Sequence, residues 1–283
     1  MNEITEPILL DSTGKQIVEA IKENTAMLQV KGIKDILDTV GTSHNGIYGG
    51  RNFGAITSAN IGSFLSEHKV AEGLFTDLYV GDSFTIQDGT YNKEWEIAGF
   101  DTYLHKGDTE LTKHHLALIP KVNLLEARMN PTDTTAGGYK GSEMFKTTLP
   151  AVVANLEKAL GARLLTRRAM LSNATNATIK SMAGADWNGA TTGWEWTDVK
   201  AALMSEVAVY GSKVFSSSFH DVGEDCERLP IFQFKGHSYT RQWFWLRAVA
   251  TSATFAGATS YGGATDGGAS YSSGGVCPLI IVG

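Results

Sequence analysis

The segment HKGDTELTKHH places three histidines close to acidic side chains, and these residue types bind metals or transfer protons. His105, His114 and His115 lie near Asp108 and Glu110, but their spacing is not that of HExxH. Adjacent residues of a strand point to opposite faces, so His114 and His115 would not bind one ion from a strand. We therefore expect no metal site and interpret His114 and His115 as half-buried strand residues.

Nucleophilic chemistry has equally little support in the sequence. No GxSxG motif is present, and nothing pairs one serine or cysteine with one histidine. The two cysteines, Cys226 and Cys277, are far apart and lack CxxC spacing, which argues against a zinc site or a disulfide framework. A single disulfide between them remains open, although we expect buried free thiols. We predict no catalytic residue and no cofactor.

Composition and charge indicate which kinds of partner are not expected. The chain has 283 residues, 42% of them hydrophobic, a net charge of −6 and a pI near 5.7. Its concentrated basic cluster, Arg163, Arg167 and Arg168, is short and is interpreted as the solvated edge of an element, so nucleic acid is an unexpected partner. No run of eighteen apolar residues and no signal peptide is visible, which predicts no membrane partner and synthesis in a cytosol.

Residues 248–275 form the most unusual stretch. They comprise almost only Ala, Gly, Ser and Thr with two Tyr, and they contain a single charged residue, Asp266, where average composition predicts about seven. Apolar strands, QWFWLRAV and VCPLIIVG, are predicted on either side. A flexible Gly/Ser linker would not be held at both ends in this way. A long loop held inside a domain, with Tyr, Ser and Gly as adaptable contacts, indicates a binding surface.

The residue types absent from this stretch suggest how it arose. Lys, Glu, Gln, Met and Trp do not occur in 248–275, and codons of the form NNC or NNT cannot encode any of them. All eight residue types that do occur can be encoded by such codons. This is the result that randomising the adenines of Asn codons in a template would give.

Residues 1–48 are predicted to be a separate N-terminal helical segment. Ile17, Ile21 and Leu28 recur at near-helical spacing, and a second short periodic piece ends at Gly41. A stripe this narrow cannot form a core alone. We predict that the segment attaches the chain to a particle or to sister copies, with packing on the main body as the alternative.

Residues 49–283 are predicted to form the main domain, of the α+β class. FTDLYVGDSFTI, KEWEIAGFDTYLH and HHLALIPKV indicate a β-meander, followed by the polar loop NPTDTTAGGYKGSE. MFKTTLPAVVANLEKALG indicates a helix with its regular part from Pro150 and its end at Gly161. The strand RLLTRRAML, a loop GADWNGATTGWEW and a second helix TDVKAALMSEVAVYG complete the prediction. The order of elements excludes a nucleotide-binding α/β fold.

Several segments together resemble a known protein family. RQWFWLRAVA and GGVCPLIIVG, with LYVGDSFTI, TKHHLALIPK, MNPTDTTAGGYKGSEM and VYGSKVFS, resemble tail-associated proteins of phages and prophages. These are similar to the variable proteins of diversity-generating retroelements, of the major tropism determinant type, which have a C-type-lectin (formylglycine-generating-enzyme-like) fold. The resemblance covers about residues 50–283. It implies a C-type-lectin-like domain with a variable surface at 248–275.

The resemblance also implies roles for individual residues. The scaffold would include Gly275 and the following residues: Trp243, Trp245, Leu246, Arg247, Val276 and Pro278. Ligand contacts would be drawn from an exposed set: Ser252, Thr254, Phe255, Ala256, Ala258, Ser260, Tyr261, Thr265, Asp266, Ser270, Tyr271 and Ser272. Relatives often have Arg at the position of Cys277, and the EPN, QPD and WND motifs of calcium-dependent lectins are absent; DWNG at 186–189 does not replace them.

The function implied by the resemblance is that of a phage tail receptor-binding protein, or adhesin. It would recognise a host cell-surface protein or glycan, contact other virion proteins, form a homotrimer and be located in the virion after synthesis in the bacterial cytoplasm. One alternative is a structural virion protein, a head fibre or decoration, without a receptor. The other is an enzyme of the formylglycine-generating type, for which Cys226 and Cys277 would have to form the active-site pair.

Overall fold

The computed structural model describes residues 44–179, 190–216, 227–235 and 242–283. Within them the fold is α+β, mostly sheet with a few short helices, which confirms the predicted class. The strands are β1 (Asn52–Ile56), β2 (Ser83–Ile86), β3 (Glu94–Phe100), β4 (Leu116–Pro120), β5 (Leu125–Glu126), β6 (Arg167–Thr175), β7 (Thr191–Val199), β8 (Ala201–Leu203), β9 (Phe244–Val249), β10 (Thr254–Ala258), β11 (Ala264–Gly268), β12 (Gly275–Val276) and β13 (Pro278–Val282). The helices are α1 (Ile61–Glu67), α2 (Gly138–Gly141), α3 (Leu149–Leu160), α4 (Glu206–Tyr210) and α5 (Pro230–Lys235).

The first sheet has the strand order β1-β2-β3-β4-β13-β8. Its strands β2, β3 and β4 follow one another antiparallel, which confirms the predicted meander. β13 lies between β4 and β8, with Ile280 opposite Leu118 and Leu279 opposite Ala202. Every residue of β13 is buried, as its continuous apolar sequence requires of a strand covered on both faces.

The second sheet has the order β11-β10-β9-β12-β5, and β6 pairs with β7 as a separate two-stranded ribbon. Consecutive strands β12 and β13 belong to different sheets, so the chain crosses from the second sheet to the first at Cys277. This crossing holds the two sheets together.

The central strand of the second sheet, β9, is covered on both faces. Phe244 and Leu246 belong to the larger core, which also contains the first sheet, α1 and α3. Trp245 and Val249 belong to a smaller core with Tyr139. Alternate residues of a strand face opposite sides, so β9 links the two cores and fixes the hairpin that follows it.

Helix α3 agrees with the prediction. Its buried residues Leu149, Val152, Leu156 and Leu160 lie on one face, and the helix ends before Gly161, which has φ +54°. A π-helical turn, Met144–Thr148, precedes it, so the regular helix begins close to Pro150 as expected.

Two sequence predictions between α3 and β9 are wrong. The predicted helix TDVKAALMSEVAVYG contains the end of β7 and all of β8, and only α4 is helical, between a Ser205 cap and Gly211. The predicted loop GADWNGATTGWEW contains β7 from Thr191 onward, paired with β6. Short apolar runs fit a strand or a helix equally well. Here these segments form strands because β6 pairs with β7 and β13 pairs with β8.

The predicted loops also contain more structure than expected. NPTDTTAGGYKGSE includes α2, and its Thr135, Tyr139 and Ser142 are buried. The stretch 248–275 is not one loop, because it contains β10, β11 and part of β9 and β12. Both segments are therefore parts of the packed domain.

The N-terminal helical prediction concerns residues 1–43, which lie outside the described residues, and stays a prediction. Residues 44–48, which the sequence assigns to the same segment, pack on the main domain. His44 is buried against Phe75, Tyr79 and Phe100, and Tyr48 forms a bridge with Val80.

Candidate functional site

The hairpin formed by β10 and β11 is the centre of the candidate site. Thr259 N–H donates to Gly263 O over 2.8 Å, and Gly263 N–H donates to Thr259 Oγ1 over 2.9 Å. Gly262 has φ +87°, a conformation that favours glycine in a tight turn. Tyr261 at this turn is 93% exposed, so its ring is held out in solvent by a well-bonded turn.

Three aromatic rings support the hairpin from one face. Trp243 lies edge-to-face against Trp245 at 4.5 Å and against Tyr271 at 5.7 Å between ring centroids. Trp245 Nε1 donates to Ala127 O over 2.8 Å, which satisfies the buried indole. Tyr271 keeps 51% of its surface exposed. The ring cluster therefore connects Trp245, in the buried core, to Tyr271, whose ring is partly in solvent.

Glycines in the stretch make room for these indoles. A Cβ on Gly257 would lie 2.6 Å from Trp243 Cζ2, and a Cβ on Gly267 would lie 3.0 Å from the Trp245 ring. A Cβ on Gly274 would overlap the Trp245 indole. The abundance of glycine thus has a packing cause in addition to any role in binding.

The segment that follows β11 is held by an acidic side chain from the polar region before α2. Asp133 Oδ1 accepts hydrogen bonds from Ser270 N–H at 2.9 Å and from Ser270 Oγ at 2.7 Å. These bonds, first the backbone one, lower the pKa of Asp133. Tyr271 N–H donates to Gly268 O over 2.9 Å. The backbone that carries Tyr271 is therefore fixed on both sides.

The structure divides the twelve predicted ligand contacts into three groups. Phe255, Ala256 and Ala258 are buried, so the expectation that they are exposed is wrong. The reason is that β10 lies between β9 and β11 and faces a core on each side. The half-buried group is Ser252, Thr254, Ser260, Thr265 and Ser270, and the exposed group is Tyr261, Asp266, Tyr271 and Ser272.

The residues predicted to be structural lie in the interior. Trp245, Leu246, Arg247 and Val276 are buried, as are Gly275 and Pro278, whereas Trp243 is half-buried. Arg247 N–H donates to Met204 O over 3.0 Å, which ties β9 to the segment after β8. The structure shows that all of these positions except Trp243 are buried, and the scaffold role that the resemblance implies stays a prediction.

Sequence reasoning missed three supporting residues. Asp133 and Thr135 come from the polar segment before α2, and Thr135 N–H donates to Ser252 O over 3.0 Å. Tyr210 of α4 places its hydroxyl 3.3 Å from both Gly257 O and Gly263 O. No signal in the sequence links these residues to 248–275, because the contacts span 47 to 137 residues of chain.

The histidines and cysteines do not form a reactive site among the described residues. His115 Nε2 accepts Tyr103 N–H at 3.1 Å, His114 Nδ1 lies 2.6 Å from Asp101 Oδ2, and His105 contacts Glu110 at the surface. His115 is buried rather than half-buried, and it precedes β4 rather than lying in a strand. No group of three or more His, Cys, Asp or Glu in the described residues is placed to hold a metal.

Two further sequence assignments concern charged and sulfur groups. Arg167 is buried, with its guanidinium 3.9 Å from the centroid of the Tyr103 ring, so it is not a solvated edge residue. Cys277 is a free, buried thiol, as expected, and burial raises its pKa. Cys226 and the DWNG motif at 186–189 lie outside the described residues.

Comparison with known proteins gives no match to a family model, to a curated protein or to a solved structure. Among the described residues, no helix has both the length and the apolar character needed to span a membrane. The functional argument therefore rests on the geometry of the site and on the motifs of the sequence.

Proposed function

We propose that this protein is a phage tail-associated receptor-binding protein with a C-type-lectin-like domain. The turn of the β10–β11 hairpin, β11 itself and residues 270–273 form its recognition surface for a host cell-surface ligand. The exposed aromatic Tyr261, carried at 93% exposure on a hairpin that is rigid by hydrogen bonding, is the observation that carries the proposal.

The mechanism is recognition without chemistry. Tyr side chains give a large contact area at a low cost in conformational entropy, and a scaffold fixed before binding loses little further freedom. Tyr261 and Tyr271 are the aromatic contacts, with Asp266, Ser270 and Ser272 as polar groups around them. The buried residues of β9 and β10 hold this surface and do not contact the ligand.

The proposed surface also suits diversification by a retroelement. Its exposed positions include Tyr261 and Ser272, which belong to neither core, whereas Phe255, Ala256 and Ala258 are buried in the cores. Substitutions at exposed positions usually change stability little. Selection would then retain changes at residues such as Tyr261 and Ser272 while the hairpin itself is kept.

Several copies would strengthen weak single contacts. We propose that the N-terminal segment, residues 1–48, joins the chain to sister copies as a homotrimer and to other virion proteins, and that the surface is displayed on the phage tail. Linked sites convert a second binding event into an intramolecular one, so total affinity can rise about 10²–10⁴-fold without a new contact.

Replacement of Tyr261 or Tyr271 by alanine tests the proposal. Loss of an aromatic contact at the centre of an interface costs about 2 kcal/mol or more, roughly 30-fold in affinity. We expect that loss in the binding of the labelled full-length protein to host cells. Leu74→Ala is the control, because Leu74 is 39% exposed in the segment between α1 and β2, away from the hairpin.

Two other results would have different explanations. If both tyrosine variants bind host cells as the wild type does, the surface is not a receptor site and the structural virion role replaces the proposal. A loss shared equally by Leu74→Ala would indicate general damage to the fold. The formylglycine-generating reaction would require a reactive Cys277, whose burial raises its pKa and so disfavours the thiolate.

A further inference from the structure

The outer edge of β11 is a row of backbone groups without a strand partner among the described residues. β11 is the terminal strand of its sheet and pairs only with β10 there. All its residues are half-buried or exposed. An edge of this kind is a template for pairing with another chain.

The hydrogen bonds at both ends of the hairpin identify which groups point outward. Thr259 donates to Gly263 O at the turn, and Ala269 N–H donates to Ala253 O at the open end. Hydrogen-bonded pairs alternate along an antiparallel ladder, so Thr265 and Gly267 bond to β10 through both of their backbone groups. Ala264, Asp266 and Gly268 therefore direct N–H and C=O away from β10.

Two of these outward residues are available to a partner. Gly268 O already accepts from Tyr271 N–H, whereas Ala264 makes no outward hydrogen bond among the described residues. Asp266 O accepts only the hydroxyl of its neighbour Thr265, at 3.3 Å, and a carbonyl has a second lone pair. An incoming strand can thus bond to both backbone groups at Ala264 and at Asp266.

The edge lacks most of the usual protection against strand addition. Edge strands are commonly blocked by lysine, proline or a covering loop. β11 has the sequence ATDGG, with neither lysine nor proline, and its small side chains leave the backbone sterically open. The single charged residue of 248–275, Asp266, lies at the centre of this edge and is exposed.

The negative charge of Asp266 determines which kind of incoming strand can pair favourably with β11. Pairing with β11 of a second copy would place the two Asp266 carboxylates at opposite or diagonal positions on one face, which is unfavourable. A strand with lysine or arginine near Asp266 would gain a cross-strand ion pair. The edge is therefore complementary to a basic strand and poorly complementary to itself.

We propose that the host ligand is a protein, and that an extended segment of it, with a basic residue opposite Asp266, adds to β11 as a further strand. The inference rests on the proposed receptor-binding function and names the class of its ligand. Backbone pairing supplies affinity that survives changes in side chains, and the exposed side chains around the edge supply specificity. A surface diversified in sequence would in this way keep one constant element of recognition.

Proline at position 264 is the direct test, because it removes an outward N–H without removing a bond to β10. The labelled protein is titrated onto intact cells of a bacterial strain to which the wild-type protein binds. We expect Ala264→Pro to bind about tenfold more weakly, the effect of about one hydrogen bond. Ala264→Val is the matched control: it adds bulk, keeps the N–H, and is expected to bind within about twofold of wild type.

The charge is tested separately at position 266. We expect Asp266→Asn to weaken binding and to reduce its dependence on salt, and Asp266→Lys to weaken it further, because each removes or reverses an attraction that salt screens. Unchanged binding by both variants would overturn the basic-strand assignment. These variants keep the backbone N–H, so they remain informative if the proline variant is unstable.

Treatment of the cells distinguishes a protein ligand from a glycan. We expect protease-treated cells to lose binding and periodate-treated cells to keep it. Strand addition is wrong if periodate treatment abolishes binding. It is also wrong if a folded Ala264→Pro variant binds as wild type while Tyr261→Ala and Tyr271→Ala do not. In either case the proposed receptor function stands. If all of these variants bind as wild type, the receptor function itself fails.

Discussion

At the residue scale, His115 shows how one buried polar group organises a segment. Tyr103 N–H donates to its Nε2 at 3.1 Å, and its Nδ1 lies 3.0 Å from Lys113 O. The ring must therefore carry its proton on Nδ1 and be neutral. Burial lowers the pKa of His115, as do the charges of Arg167 and His114, while the Lys113 carbonyl and Asp101 oppose this shift.

This lowered pKa predicts a loss of stability in mild acid. The unfolded chain has the ordinary histidine pKa of about 6.5 and binds a proton before the folded protein does. The contribution of His115 is complete above that value and decreases as the pH falls below it, towards the lowered pKa of the folded state. We expect the free energy of unfolding in urea to fall between pH 7.5 and pH 5.

His115→Gln provides the comparison, because the Gln side chain can accept the Tyr103 N–H without titrating. The variant is expected to be less stable at pH 7.5 but to lose less stability than wild type on acidification. An equal loss in the two proteins would show that His115 does not cause the pH dependence.

At the element scale, the hairpin of β10 and β11 shows why the sequence of 248–275 predicts a loop where the protein has strands. Apart from Phe255 and Asp266, its strands consist of alanine, glycine and threonine, so they lack the run of large β-branched and aromatic residues that marks a strand. The strands form because β9 and the rings of Trp243 and Trp245 provide partners and a packing surface. Helix α3 was predictable because its apolar face, proline start and glycine end are all local.

The ladder of this hairpin makes a prediction about two adjacent residues. Thr265 lies opposite Gly257 in a hydrogen-bonded pair, whereas Ala264 lies opposite Ala258 with its N–H outward. Thr265→Pro is expected to lower the free energy of unfolding by about 1 kcal/mol, because it removes a ladder hydrogen bond from Thr265 N–H to β10. Thermal unfolding of the two proline variants measures the difference. If Ala264→Pro is the less stable of the two, the assigned alternation is incorrect.

At the scale of the whole molecule, two sheets and two cores are joined through β9 and through the crossing of β12 to β13. Cys277 lies at this crossing. The buried environment there, bounded by both sheets, suits a small apolar thiol. The proposed recognition surface lies at the β11 edge of the second sheet, beyond which the described residues contain no further strand, so ligand contacts there need not disturb either core.

The proposed gain in total affinity from several linked copies requires that the protein form an oligomer. The full-length chain of 30.4 kDa is expected to elute as a particle of about three times this mass in size-exclusion chromatography with light scattering. Repeating the measurement over a hundredfold range of protein concentration shows whether the oligomer dissociates. A mass equal to one chain at all concentrations would contradict the trimer and remove the avidity argument, while leaving the single recognition surface as it is.

The sequence by itself determined the α+β class, the meander, helix α3 and the apolar strand in QWFWLRAV, because each depends on local periodicity or on large apolar residues that must be buried. Only the tertiary structure decided that β8 is a strand, that Phe255, Ala256 and Ala258 face cores, and that Asp133 and Tyr210 support the hairpin. Small residues fit a loop and a buried strand equally well. Their exposure is set by partners distant in the chain, and among the described residues β11 has a strand partner on one side, β10.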